Sequence, residues 1–150
     1  MHSAEHILNQ TMIRMFDCGR CFNAHIERKK SKCDYHFDRP LSEDETQGIQ
    51  DAVNRIIQAD LPVTESHVSI GEAAEVYNLQ KLPQDAGNSI RIVHVGDYDA
   101  CPCIGPHVAS TKDISGFLIT ATQYENGKLR IRFKLRSGIL PRTAALTTAE

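Results

Sequence analysis

The stretch CPCIGPHVAS, from Cys101 to Ser110, places two thiols, a Gly-Pro pair and an imidazole in one short segment. Proline and glycine disfavour helix and interior strand, so this segment reads as a turn. A turn carrying Cys103 and His107 can aim both side chains at one point. A second pair, His2 and His6, has i,i+4 spacing near the first residue. On a helix that spacing stacks two imidazoles on one face, with β-carbons about 5–6 Å apart. The four residues form a three-histidine, one-cysteine donor set of the kind that suits Zn²⁺, which takes imidazole at about 2.0–2.1 Å and thiolate at about 2.3 Å. Each half also has an ordinary explanation. HxxxH pairs occur at surfaces and helix ends, and a cysteine in a turn is often a small buried hydrophobe.

Such a site needs a helix and a turn held against each other. HSAEHILNQTMIRMF supplies the helix, with Ile7, Leu8, Met12, Met15 and Phe16 on an apolar stripe and Gly19 as a stop. CFNAHIERKKSKCDYHFD reads as two short strands around the polar turn ERKKSK. A second helix begins at Ser42 and Glu45, which have capping-box spacing, carries Ile49, Val53, Ile56 and Ile57 on one face, and ends near Asp60, before Pro62. SIRIVHVG and GFLITATQY read as strands from their β-branched content. ENGK is a hairpin turn, because Asn-Gly tolerates positive φ, and KLRIRFKLR completes the hairpin. The sum is an α+β domain with a mostly antiparallel sheet packed with helices. Residues 1–137 are expected to form one domain and 138–150 a loosely held carboxy-terminal tail.

Composition narrows the class. At 150 residues the chain can bury a core unaided, and 41% hydrophobic with 24% charged residues is a globular balance. No apolar run approaches the roughly 20 residues that cross a bilayer. MHSAEHILNQ also lacks the basic start and apolar block of a secretory signal, so no membrane partner and a cytoplasmic setting are expected. There are five cysteines, an odd number, which argues against a disulfide framework. A net charge of −2 means that nucleic acid would have to be held by local patches.

HSAEHIL followed by CIGPHVASTKDISGF resembles the HxxxH and CxxxH motifs of the aminoacyl-tRNA editing domain family. That family includes the editing domains of alanyl- and threonyl-tRNA synthetases and the freestanding AlaX-type alanyl-tRNA editing proteins. The threonyl-type motif is similar to Cys-Arg-Gly-Pro-His, from which only Ile104 departs. The alanyl type is closer to Cys-Gly-Gly-Thr-His, matched at Cys103, Gly105 and His107. The likeness continues through Ser110, Thr111, Ile114, Gly116 and Phe117, and loosely into the RIRF hairpin.

The resemblance implies an α+β editing-domain fold, Zn²⁺ as cofactor, and His2, His6, Cys103 and His107 as both catalytic residues and metal ligands. The implied reaction is hydrolysis of the ester joining a wrong amino acid to the 3′ end of tRNA. A zinc could activate water and stabilise the oxyanion. It could instead hold the substrate's amino group while tRNA hydroxyls position water. In the threonyl branch a neutral histidine could orient water without metal. The first substrate implied is Ser-tRNA(Ala), because an alanine pocket rejects serine poorly, with Gly-tRNA(Ala) beside it. The alternatives are a threonyl-type Ser-tRNA(Thr) deacylase and a non-catalytic tRNA- or synthetase-binding module with a structural zinc. The chain has no room for an aminoacylation core, so action in trans is expected.

Lys128, Arg130, Arg132, Lys134 and Arg136 alternate with Leu129, Ile131, Phe133 and Leu135. Period two sends the cations to one sheet face, where they could track tRNA phosphates or simply be solvated. Cys18-Gly-Arg-Cys21 lacks a partner CxxC and a thioredoxin-like context, and reads as structural or incidental thiols. Cys101 has the wrong spacing to His107 for the family motif. Asp97 and Asp99 are near enough in sequence to support the ligands from behind. His94 reads as ordinary, and His25, His36 and His67 have no motif around them.

Overall fold

The computed structural model describes residues 2–27, 30–69, 89–103, 105 and 107–136. The expected tail at 138–150 lies outside these residues, as do Arg28 and Lys29 of the ERKKSK turn and Ile104 and Pro106 of the CIGPH motif. The order is α1 (His2–Phe16), β1 (Asn23–Ile26), β2 (Ser31–His36), α2 (Glu43–Gln58), β3 (Val63–Ser69), β4 (Ser89–Val95), β5 (Asp99–Pro102), a 3₁₀ turn (Thr111–Asp113), β6 (Phe117–Glu125) and β7 (Lys128–Leu135).

The fold is α+β, and its strands divide between two antiparallel sheets, β1-β2-β7-β6 and β3-β4-β5. Ile7, Leu8 and Met12 of α1 join Ile49 and Val53 of α2 and Leu129, Ile131 and Phe133 of β7 in one buried core. Val95 ties the end of β4 into the same core.

Local chemistry sets the boundaries. The Ser42 hydroxyl accepts from the Glu45 amide at 3.1 Å, and the Glu45 carboxylate accepts from the Ser42 amide at 2.9 Å, which completes the capping box. Asn126 and Gly127 take positive φ at 49° and 81°, the tight turn that the Asn-Gly pair favours between β6 and β7.

Two local expectations are corrected. Met15 points outward at 44% exposure rather than joining the apolar stripe of α1. Cys101 and Pro102 close the edge strand β5 instead of opening a turn. Pro102 is tolerated there because it ends a strand at a sheet edge, where its missing N–H is least costly.

Candidate metal centre

The first turn of α1 meets the segment that leaves β5. His6 is buried on the inner face of α1, whereas Cys103 and His107 are half-buried beyond the strand. Donor atoms of His6, Cys103 and His107 all lie within 4.8 Å of one another. His107 Nε2 is 3.3 Å from Cys103 Sγ, and the His6 and His107 rings meet edge to face at 4.7 Å.

His2 stands apart at the rim. Its ring centroid is 6.2 Å from that of His107, its Nδ1 is 3.8 Å from Glu5 Oε1, and its side chain is 35% exposed. Three of the four residues that the sequence singled out are therefore gathered, with the fourth beside them. Gly105 permits this closeness, because a β-carbon there would lie 3.0 Å from the His2 ring.

Several residues orient the cluster from behind. The Ser3 hydroxyl meets His107 Nδ1 at 2.8 Å, which turns Nε2 toward Cys103. Asp99 is buried beneath His6, with Oδ2 3.4 Å from His6 Nδ1. That distance is long for a hydrogen bond, and Nδ1 is buried without a well-formed one, so charge attraction dominates the contact. Arg20 donates to both Asp99 oxygens at 2.7 and 3.2 Å, and Gln10 adds a third donor at 3.0 Å. Arg91, from β4, donates to the carbonyls of Cys103 and Gly105 at 3.3 and 2.9 Å and pairs with Glu65 of β3 at 2.6 Å. Thr111 is fully buried, and its hydroxyl accepts from the Leu61 amide at 2.8 Å while facing the last carbonyls of α2.

Asp99 was the one supporting residue legible in the sequence; Asp97 is exposed in the preceding turn. Nothing local in the sequence distinguishes Ser3, Gln10, Arg20 and Arg91 from surface polar residues. Arg20 lies inside the CGRC motif, between a Cys18 thiol turned to the Met12 and Gly19 carbonyls and a Cys21 thiol turned to Glu5.

These surroundings bias protonation. Burial disfavours an imidazolium at His6, but Asp99 and Cys103 outweigh it and raise the ring to about 9. Asp99 is lowered to about 2, since His6 and Arg20 overcome its burial. Burial and the charge of His6 hold His107 at about 3, so it is neutral at physiological pH. Cys103 is lowered because hydrogen bonds from His6 and the Gly105 amide outweigh burial.

The donor set fits a zinc ion. A tetrahedral cation with Zn–S of about 2.3 Å and Zn–N of about 2.0 Å separates S and N ligands by about 3.5 Å. The observed 3.3 Å between Cys103 and His107 is close to that span. A carboxylate behind one histidine and a hydroxyl behind another is the usual support for metal-binding imidazoles.

The cations on β7 alternate as expected, facing away from the buried Leu129, Ile131 and Phe133. Arg130 is committed to Asp34 through bonds of 2.8 and 3.0 Å, and Arg132 reaches Gln123 at 3.4 Å. Lys134 and Arg136 are exposed. No helix among the described residues is long and apolar enough to cross a membrane.

The α+β fold, two helices with two antiparallel sheets, is consistent with the synthetase editing-domain type. Residues 90–133 match the family model described as "Threonyl and Alanyl tRNA synthetase second additional domain". The chain belongs to this aminoacyl-tRNA editing domain family. It is similar to the alanine–tRNA ligase of Leptospira biflexa, 30% identical over 125 residues, covering 79% of this chain and 13% of that protein. The alanine–tRNA ligase of Treponema denticola is 25% identical over 130 residues, covering 86% and 22% respectively. That of Aeropyrum pernix is 29% identical over 140 residues, covering 88% and 15%. The chain thus spans between 13% and 22% of the length of these curated relatives.

Proposed function

We propose that this domain deacylates mischarged aminoacyl-tRNA, with Ser-tRNA(Ala) as first substrate and Gly-tRNA(Ala) as second, acting in trans in the cytoplasm. The observation that carries this reading is the convergence of His6, Cys103 and His107, the last two within the segment that the family model matches. His6, Cys103 and His107 would hold a zinc ion, and His2 could complete the set by a small movement at the rim. When bound, the ion would supply a Lewis acid for the ester carbonyl and a more acidic water.

The chain's own groups have distinct tasks. Asp99 holds the His6 ring and balances its charge. Ser3 holds the tilt of His107 through Nδ1, which leaves Nε2 beside Cys103 as the atom that would hold the ion. Arg91 keeps the carbonyls of Cys103 and Gly105 in place, so the thiol does not drift. Beside His2 and Glu5 lies a pocket of about 520 Å³, also lined by Phe22, Asn23, Ala24 and Ile26. It offers room for the aminoacylated tRNA end next to the cluster. Lys128, Arg132, Lys134 and Arg136 would meet phosphates, with Arg130 contributing less because Asp34 already neutralises it.

The test is deacylation of Ser-tRNA(Ala), Gly-tRNA(Ala) and Ser-tRNA(Thr) beside correctly charged controls, with metal content measured on the same sample. Selective loss of Ser-tRNA(Ala) is expected. Preference for Ser-tRNA(Thr) would reassign the domain to the threonyl branch. Intact esters with a loaded, folded site would overturn the enzyme reading in favour of a binding module.

A further inference from the structure

A second cluster of soft donors lies next to the first. Glu5 of α1, Cys21 of the following loop and Cys33 of β2 bring a carboxylate oxygen and two sulfurs within 4.8 Å of one another. Both cysteines are buried, at 3% and 0% exposure, and Cys21 Sγ is 3.5 Å from Glu5 Oε2. We propose that Glu5, Cys21 and Cys33 form a second cation site, suited to a thiophilic divalent metal such as Zn²⁺.

The positions are well fixed. Cys33 sits in the middle of its strand, opposite Ala24 on one side and Ile131 on the other. The Cys21 amide donates to Asn9 Oδ1 at 3.2 Å, and the Tyr35 hydroxyl donates to the same oxygen at 2.7 Å. The CxxC motif does not act as a unit here. Cys18 Sγ faces the carbonyls of Met12 and Gly19, at 3.7 and 3.5 Å, and is not part of the cluster. Cys21 is paired instead with a thiol from the sheet.

Charge also favours a cation. The Glu5 side chain is only 15% exposed, and among the described residues the basic group within ion-pair reach is the half-exposed His2 at 3.8 Å. A carboxylate beside two thiols gains most from a nearby positive charge when little water reaches it. The 3.5 Å separation of sulfur and oxygen equals the span of about 3.5 Å across a tetrahedral zinc with ordinary bond lengths. Glu5 borders the 520 Å³ pocket, which gives an ion its approach and leaves room for one exchangeable ligand.

The experiment is Cd²⁺ titration of the full chain under a phosphine reductant, following stoichiometry and the thiolate-to-cadmium absorption. Wild type is expected to bind two equivalents, C21S/C33S one, and C103A/H107A one that still shows the thiolate band. The last result is expected whether or not the first cluster binds metal. E5Q leaves both thiols and the core intact, and is expected to weaken the thiolate-rich equivalent at least about tenfold. It decides the question if C21S/C33S does not fold. Loss of all cadmium in C103A/H107A, or unchanged stoichiometry and affinity in folded C21S/C33S and E5Q, overturns the proposal.

Discussion

The Arg20 guanidinium grips both carboxylate oxygens of Asp99 across 79 residues of sequence, at 2.7 and 3.2 Å. Asp99 in turn underlies His6, so a loop after α1 and the start of β5 jointly set the orientation of one ring. Removing Arg20 leaves a buried carboxylate with weaker support. Because His6 and Gln10 still face Asp99, Arg20→Met is expected to cost about 1.5–3 kcal/mol in urea unfolding. Asp99→Asn keeps the shape and is expected to lower zinc affinity or kcat/KM about 10–100-fold, measured by chelator competition and deacylation rate.

The same carboxylate predicts an acid limit. Unfolded, Asp99 ionises near 3.8; folded, it is held at about 2. Its stabilising contribution is therefore complete above about pH 4 and is lost as the pH falls toward 2. Asp34, lowered by Arg130, acts in the same direction. Thermal melts of metal-free protein between pH 5 and pH 2 should show Tm falling through this window. The fall should be shallower in Asp99→Asn.

The two neighbouring thiols should react very differently. Burial pushes Cys101 up to about 11, with the Asp99 charge adding to the effect over the opposing pull of Arg20. Cys103 is lowered by His6 and the Gly105 amide. Brief iodoacetamide treatment at neutral pH should label Cys103 well before Cys101, and added Zn²⁺ should protect it. Peptide mass spectrometry gives the ranking; equal labelling would contradict the assigned environment of Cys103.

At Gly105 the segment after β5 runs close against the His2 ring of α1. Gly105→Ala should push the His2 ring aside, since the new β-carbon would lie 3.0 Å from it. The half-exposed ring has room to yield, so a stability loss of about 1 kcal/mol is expected. A clear drop in activity or metal affinity beside that small loss would place His2 in the working site.

The basic strand offers a separation of roles. Lys134→Gln and Arg136→Gln should each reduce the salt dependence of tRNA binding by about one counterion while leaving Tm nearly unchanged. Arg130→Gln should do the reverse, because its charge is already committed to Asp34. Filter binding across salt concentrations, with parallel melts, distinguishes the two patterns.

Legibility followed the range of the interactions. The Ser42–Glu45 capping box and the Asn126-Gly127 turn are local, and their residues alone specify them. The apolar alternation of β7 was equally plain. VTESHVS of β3 carries no alternating strand signal in the sequence, because its side chains are mostly exposed and an edge strand of this kind lacks an inward-outward pattern. The division into two sheets likewise depends on pairings that no short window contains. At the site, CxxxH and HxxxH were visible as spacings. The hold of Ser3 on His107 spans 104 residues and had no signal in either motif.

That span has a consequence for how the molecule comes into being. Helix α1 precedes its partners in the sequence: its inner face shares a core with α2 and β7, and its first turn faces the segment that follows β5. While the chain emerges from the ribosome, His6 and the apolar side chains of α1 must wait for partners still to be synthesised. Late, long-range closure of this kind slows folding and leaves an interval in which a greasy helix needs shelter. The cluster of His6, Cys103 and His107 therefore reports on that closure, since its donors meet only once α1 and the segment beyond β5 have come together.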